Sequence, residues 1–144
     1  MKHAATALDG EGAARVGGRW NSPGRRMVYS SATLSLALLE ILVHMDPDFL
    51  DDTYAAVQVD VPDDAIRTVE DLFPGWESAE PAFLSRLGDG WIGRQESLAF
   101  SVPSAIVGHE RNLLINPAHP RFGDLKASPP QRFTIDHRLL RRPG

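Results

Sequence analysis

Short strand-like runs outnumber long helical ones along these 144 residues, which predicts a mixed α+β domain. The segments "TYAAVQVDVP" and "SLAFSVPSAIV" alternate apolar and polar residues as half-buried strands do, and "MVYSS" is rich in strand-favouring types. Against them stands one long apolar stretch of helical character, Leu34–Met45. No internal repeat, low-complexity tract or linker divides the chain, and its length suits a single domain, 1–144, able to bury an ordinary core.

Taken in order, residues 1–15 are small and polar and read as a loop, with 1–9 as a flexible arm or a shortened start. Met27–Ser31 reads as a strand, and Ser31 or Thr33 can cap the helix that follows. Asp46–Pro47 ends that helix, because the residue before a proline avoids helical geometry. Val57, Val59 and Val61 mark one strand across 53–62, stopped by Pro62. A short helix over 78–91 closes at Gly88. Leu98, Phe100 and Val102 mark the next strand, which breaks at Pro103; 112–117 and 132–140 supply two more, with a helical turn between them.

Composition removes several function classes. Nineteen acidic against fifteen basic residues, and a calculated pI near 5.7, argue against general nucleic-acid binding. The absence of cysteine excludes disulfides, thiolate metal sites and a cysteine nucleophile. The five histidines lack metal-site spacing, and "GEGAARVGG" lacks both the lysine of a phosphate-binding loop and a preceding strand. The N-terminus has no apolar core of a signal peptide, and Leu34–Met45 is too short to span a bilayer, so a cytoplasmic protein is expected.

Two features invite chemistry. "VGGRWNSPGRRMVYSS" (16–31) mixes turn-forming glycines and a proline with Arg19, Arg25, Trp20 and Tyr29. Leu34–Met45 is apolar almost all round, as in a helix buried on most sides, yet carries Glu40, with Leu36, Val43 and His44 as helical neighbours. Either Glu40 lies on a wet edge and pairs with His44, or it lines a cleft and meets a cation such as Arg19 or Arg25, or a polar ligand. Read by themselves, Arg19 is a surface arginine, Tyr29 packs in a core, Ser104 caps a turn after Pro103, and Trp20, Trp76 and Trp91 fill the core.

The pieces "GEGAARVGGRWNSPG", "VYSS", "LALLEILVH", "VPSAIV" and "NLLINP", in that order and over roughly residues 10–140, resemble the RES-domain family, the toxins of Xre–RES toxin–antitoxin pairs. The resemblance implies a single domain similar to ADP-ribosyltransferases, with a mixed, mainly antiparallel sheet and a few helices. It implies a toxin that consumes NAD+ as a substrate, with no permanently bound cofactor and no metal. On this match Arg19, Tyr29 and Glu40 are the catalytic residues, and Arg19, Tyr29, Ser104 and Asn116 hold NAD+.

Those residue types suit that chemistry. Cleaving the nicotinamide–ribose bond builds positive charge on the sugar, which a carboxylate such as Glu40 stabilises. Arginine matches pyrophosphate oxygens two at a time, and glycines 17 and 18 let backbone come near them. Tyr29 can stack on nicotinamide, while Ser104 and Asn116 can bond its carboxamide or the ribose. Hydrolysis, phosphorolysis and transfer of ADP-ribose to a protein remain open, as does a silent module acting through its antitoxin. The implied partner is an Xre-type helix-turn-helix antitoxin in a hetero-oligomer, with a homodimer also possible, and with no direct contact to nucleic acid or membrane.

Overall fold

The run Leu98–Val102 and the pair Leu114–Ile115 lie side by side at the centre of the molecule, where their apolar side chains are wholly enclosed. In the computed structural model, which describes residues 7–46, 48, 53–70 and 72–140, they belong to β5 (Ala99–Pro103) and β6 (Arg111–Ile115). β1 (Val28–Ser31) flanks β6 and β4 (Ile66–Thr68) flanks β5, giving a sheet of order β1-β6-β5-β4. The β1·β6 and β5·β6 pairs are antiparallel and β4·β5 is parallel, so the sheet is mixed and mainly antiparallel, as expected.

Both faces of this sheet are covered, and the two-residue period of a strand divides its side chains between them. Phe100, Val102 and Leu114 pack with Trp20, Met27, Trp76, Leu84 and Trp91. Val28, Ala65, Ala99 and Ile115 form a second cluster with Leu98. Trp91 stacks on Phe100 at 5.2 Å and donates its indole N–H to Ser97 Oγ, which satisfies its polar atom inside the core. All three tryptophans are core residues.

The register also selects what the first face carries at its open end. Tyr29 sits opposite Leu114, and Ser31 opposite Asn112, which in turn sits opposite Val102. Tyr29, Ser31 and Asn112 therefore share one side of the sheet. A slip of one residue would turn all three away. α2 (Leu34–His44) follows β1 directly; Thr33 caps it, its hydroxyl accepting from Leu36 N–H at 3.1 Å.

Several elements differ from expectation. Residues 11–16 form a helical turn, α1 (Glu11–Val16), with Asp9 accepting from Glu11 N–H. It buries no side chain, so its sequence carries no apolar stripe to announce it. Residues 1–6 lie outside the described residues. The stretch 53–62 is two strands, β2 (Thr53–Ala56) and β3 (Val59–Asp60), paired with β8 (Gln131–Thr134) and β7 (Lys126–Ala127). Pro129 and Pro130 between β7 and β8 offer no N–H, so the ladder breaks there and Gln58 bonds Ser128 instead. Beyond β8 the chain turns into a 3-10 segment, His137–Leu140, because Asp136 accepts from Arg138 N–H. α2 is apolar almost all round yet wholly buries only Leu36, with Leu34, Leu39 and Val43 exposed. Among the described residues no helix is long and apolar enough to cross a membrane.

The second long helix, α3 (Pro81–Arg94), does not close at Gly88. Gly88 sits in its middle because the main chain at Trp20 crosses there: a Cβ on residue 88 would stand 1.7 Å from the Trp20 carbonyl oxygen. The helix instead runs on to Gln95, which ends it with φ at 50°. Gly88→Ala must push helix and loop apart; it is expected to cost about 3 kcal/mol or more of unfolding free energy, measured by urea denaturation.

Candidate active site

The loop 17–25 is built around one buried amide. Asn21 is 1% exposed. Its Nδ2 reaches the carbonyls of Ala13 (2.9 Å), Arg25 (3.0 Å) and Ser22 (3.2 Å), and its Oδ1 accepts from the Tyr29 hydroxyl at 2.6 Å. The same hydroxyl accepts from Trp20 N–H at 3.0 Å. Asn21 carbonyl accepts from Gly18 N–H, and Asp89 of α3 accepts from Ser22 N–H. One side chain thus ties the loop to α1 and β1. Gly18 is required by contact: a Cβ there would lie 2.6 Å from the Tyr29 oxygen.

This loop is one wall of a cleft of about 840 Å³. α2 forms the opposite wall, the open end of β1 and β6 the floor, and residues 103–106 close one side. Most of the lining is apolar; the polar groups are few, as in sites for small organic ligands. Arg19, Tyr29 and Glu40, expected together from the sequence, all line it. Arg19 commits one Nη1 bond to the Glu77 carbonyl at 3.2 Å and lies 5.9 Å from the centre of the Trp76 ring. Its other N–H groups have no hydrogen-bond partner among the described residues.

Glu40 does not pair with Arg19 or Arg25. Its Oε1 accepts from Asn112 Nδ2 at 2.7 Å and from Ser104 Oγ at 3.2 Å. Its Oε2 lies 3.6 Å from His44 Nε2, an ion pair when the imidazole is protonated. Both sequence readings of Glu40 therefore hold in part: it lines the cleft, and it pairs with His44 one turn on. The carboxylate keeps 23% of its side-chain surface exposed. Its burial cost is offset by neutral donors from two other elements rather than by a buried cation.

Ser104 is buried and lies behind Glu40, outside the lining. It also caps a turn, its Oγ accepting from the Ile106 and Val107 N–H groups. Asn116 is buried away from the cleft; its Oδ1 accepts from Ala118 N–H, while its Nδ2 has no partner among the described residues. Asn112, Ser31 and Asn21 are the residues that sequence reasoning missed. Asn112 stands in the "NLLINP" piece and Asn21 in "GGRWN", so the signal was position within those motifs. Arg25 and Arg26 are exposed, and Arg26 pairs with Glu11. Among the described residues no cluster of His, Asp or Glu could hold a metal ion.

The arrangement defines a class: an α+β domain with an apolar cleft that presents an arginine, a tyrosine ring and an oriented carboxylate. The sequence profile of the RES domain matches residues 1–136, and the chain belongs to the RES-domain family. It is 38% identical over 142 residues to the Prs ADP-ribosylating toxin of Sphingobium sp., covering 94% of this chain and 88% of that protein. It is 35% identical over 144 residues to a Toxin Res of Photorhabdus laumondii, covering 97% and 92%. Against a Toxin Res of Pseudomonas putida the identity is 37% over 136 residues, covering 92% of each.

Burial pushes the Tyr29 phenol up to about 12, although the residue as a whole is 42% exposed: the hydroxyl is under the loop and the side chain lines the cleft. Because the folded value lies above the ordinary one of 10.0, the contribution of the neutral phenol to stability is complete below that pH and is lost between about 10 and 12. Tyr29→Phe leaves Asn21 Oδ1 and Trp20 N–H without this partner and is expected to cost about 1–2 kcal/mol at neutral pH. The gap between the two proteins should narrow as pH rises above 10, which urea titrations at pH 8 and pH 11 measure.

Proposed function

We propose that this chain is a toxin that binds NAD+ in the cleft and breaks the bond between its ribose and nicotinamide. The observation that carries the reading is the anchored Glu40 carboxylate facing the same cleft as Arg19 and the Tyr29 ring. The names of the relatives, Toxin Res and Prs ADP-ribosylating toxin, support a toxin with enzymatic activity on an ADP-ribose donor.

In this reading Arg19 holds the pyrophosphate with the donors it does not give to Glu77. The Tyr29 ring, its hydroxyl held under the loop by Trp20 N–H and Asn21 Oδ1, packs against nicotinamide. As the C1′–N bond breaks, its electron pair passes to the ring nitrogen and nicotinamide leaves neutral. Positive charge grows on the ribose, and Glu40 stabilises it or holds a ribose hydroxyl. An acceptor then supplies an electron pair to C1′ and loses a proton. Water gives hydrolysis, phosphate gives phosphorolysis, and a protein side chain gives ADP-ribosylation. The name of the Sphingobium relative favours the last as the second reading.

The exposed apolar residues Leu39 and Val43, one turn apart on α2, with the exposed Val16 of α1, support burial against a protein partner. We assign that face to an antitoxin of the Xre helix-turn-helix type, in a cytoplasmic complex.

Purified protein is expected to release nicotinamide from NAD+, followed by chromatography. Glu40→Gln should slow release about 100-fold or more without lowering the melting temperature by more than a few degrees. Label from adenylate-labelled NAD+ found on a protein band assigns transfer; label found only in small molecules assigns hydrolysis or, where phosphate accelerates it, phosphorolysis. No nicotinamide from the wild-type chain overturns the proposal.

A further inference from the structure

We infer that Ser31 and Asn112 form a positioning pair that decides which oxygen of Glu40 meets the substrate; the inference rests on the function proposed above. Ser31 Oγ donates to Asn112 Oδ1 at 2.8 Å, and Asn112 Nδ2 donates to Glu40 Oε1 at 2.7 Å. A carboxylate only accepts, so Glu40 Oε1 takes the donating Nδ2 end of the amide, and the Ser31 hydroxyl donates to the Oδ1 end and holds the amide in that plane. With the amide reversed, a carbonyl oxygen would face Glu40 Oε1 and the contact would be repulsive.

The result is an asymmetric carboxylate. Oε1 is occupied by two donors, Asn112 from β6 and Ser104 after β5. Oε2 has a single neighbour among the described residues, His44, whose side chain is 64% exposed at the cleft. Oε2 is therefore the oxygen left to face the ribose, and among the described residues His44 is the titratable side chain paired with it. The order is built into the sheet, since Ser31 and Asn112 are register partners on adjacent strands. Ser31 is three residues before the helix that carries Glu40, so the hairpin of contacts closes on itself.

A positioning role differs from substrate binding in what its loss changes. Asn112→Ala leaves Oε1 with the longer Ser104 bond alone, and kcat for nicotinamide release is expected to fall about 10- to 100-fold with KM for NAD+ within about threefold. Ser31→Ala should lower kcat less, and the double variant should match Asn112→Ala, because both act through one path. Asn112→Asp sets a second carboxylate against Oε1; the two share a proton, and the acidic limb of the pH–rate profile moves to higher pH. Additive single and double variants, a rise in KM alone, or an unmoved acidic limb each overturn the inference.

Carboxyl carbon NMR of Glu40 reads the same pair without turnover. Its resonance should move in Asn112→Ala and move in the same sense, by less, in Ser31→Ala. An unmoved resonance in Asn112→Ala overturns the positioning pair whatever the wild-type activity. A wild type that releases no nicotinamide, with the resonance moving as stated, overturns the proposed function and leaves the pair standing.

Discussion

The buried amide of Asn21 is the contact on which the site depends. It is wholly enclosed, and its two ends join groups that the chain would otherwise leave apart: the carbonyls of α1 and of the loop on one side, the Tyr29 hydroxyl on the other. A buried amide is costly unless its hydrogen-bonding groups are satisfied, so this loop is stable in one arrangement. That arrangement sends Trp20 inward against Trp76 and Phe100 and leaves Arg19 outward beside the cleft. Trp20 in turn requires Gly88 on α3, and Ser22 N–H requires Asp89 next to it. The loop, the first strand and the second long helix are therefore a single packed unit.

The other wall obeys a different constraint. α2 is largely apolar but wholly buries only Leu36, and its carboxylate is placed where β6 and the turn after β5 supply donors. A carboxylate held by neutral hydrogen bonds keeps its charge available to a ligand, whereas one locked to an arginine has its field cancelled. The separation of Arg19 from Glu40, each on its own partner, leaves a cation on one wall and an anion on the other. Such a cleft suits a ligand with negative charge at one end and developing positive charge at another.

Much of the fold was legible because its signals are local. Alternation marked β5, the Thr33 cap marked the start of α2, and strand-favouring residues marked β1. The failures are equally physical. α1 has no apolar stripe, Gly88 looks like a helix end until the Trp20 backbone is seen against it, and the break between β2 and β3 is imposed by prolines some seventy residues later in the chain. Glu40 was visible as an anomaly in an apolar run, but its partners were not. Asn112 and Ser104 lie 72 and 64 residues away, and no spacing rule along a helix or strand reaches so far.

By itself, then, the sequence determined the α+β class, the helix bearing Glu40, and the motif pieces that hold Arg19 and Tyr29. The class and the helix follow from periodicity, capping and residue type over a few neighbouring positions, and the motif pieces from the family resemblance they carry. Tertiary structure alone decided that Arg19, Tyr29 and Glu40 line the same cleft, that Ser104 supports Glu40 from behind, that Asn116 lies elsewhere, and that Asn112 holds the carboxylate. The reason is the register of β1 on β6: pairing Ser31 with Asn112 is a choice made between strands, and it turns their side chains toward the helix that carries Glu40.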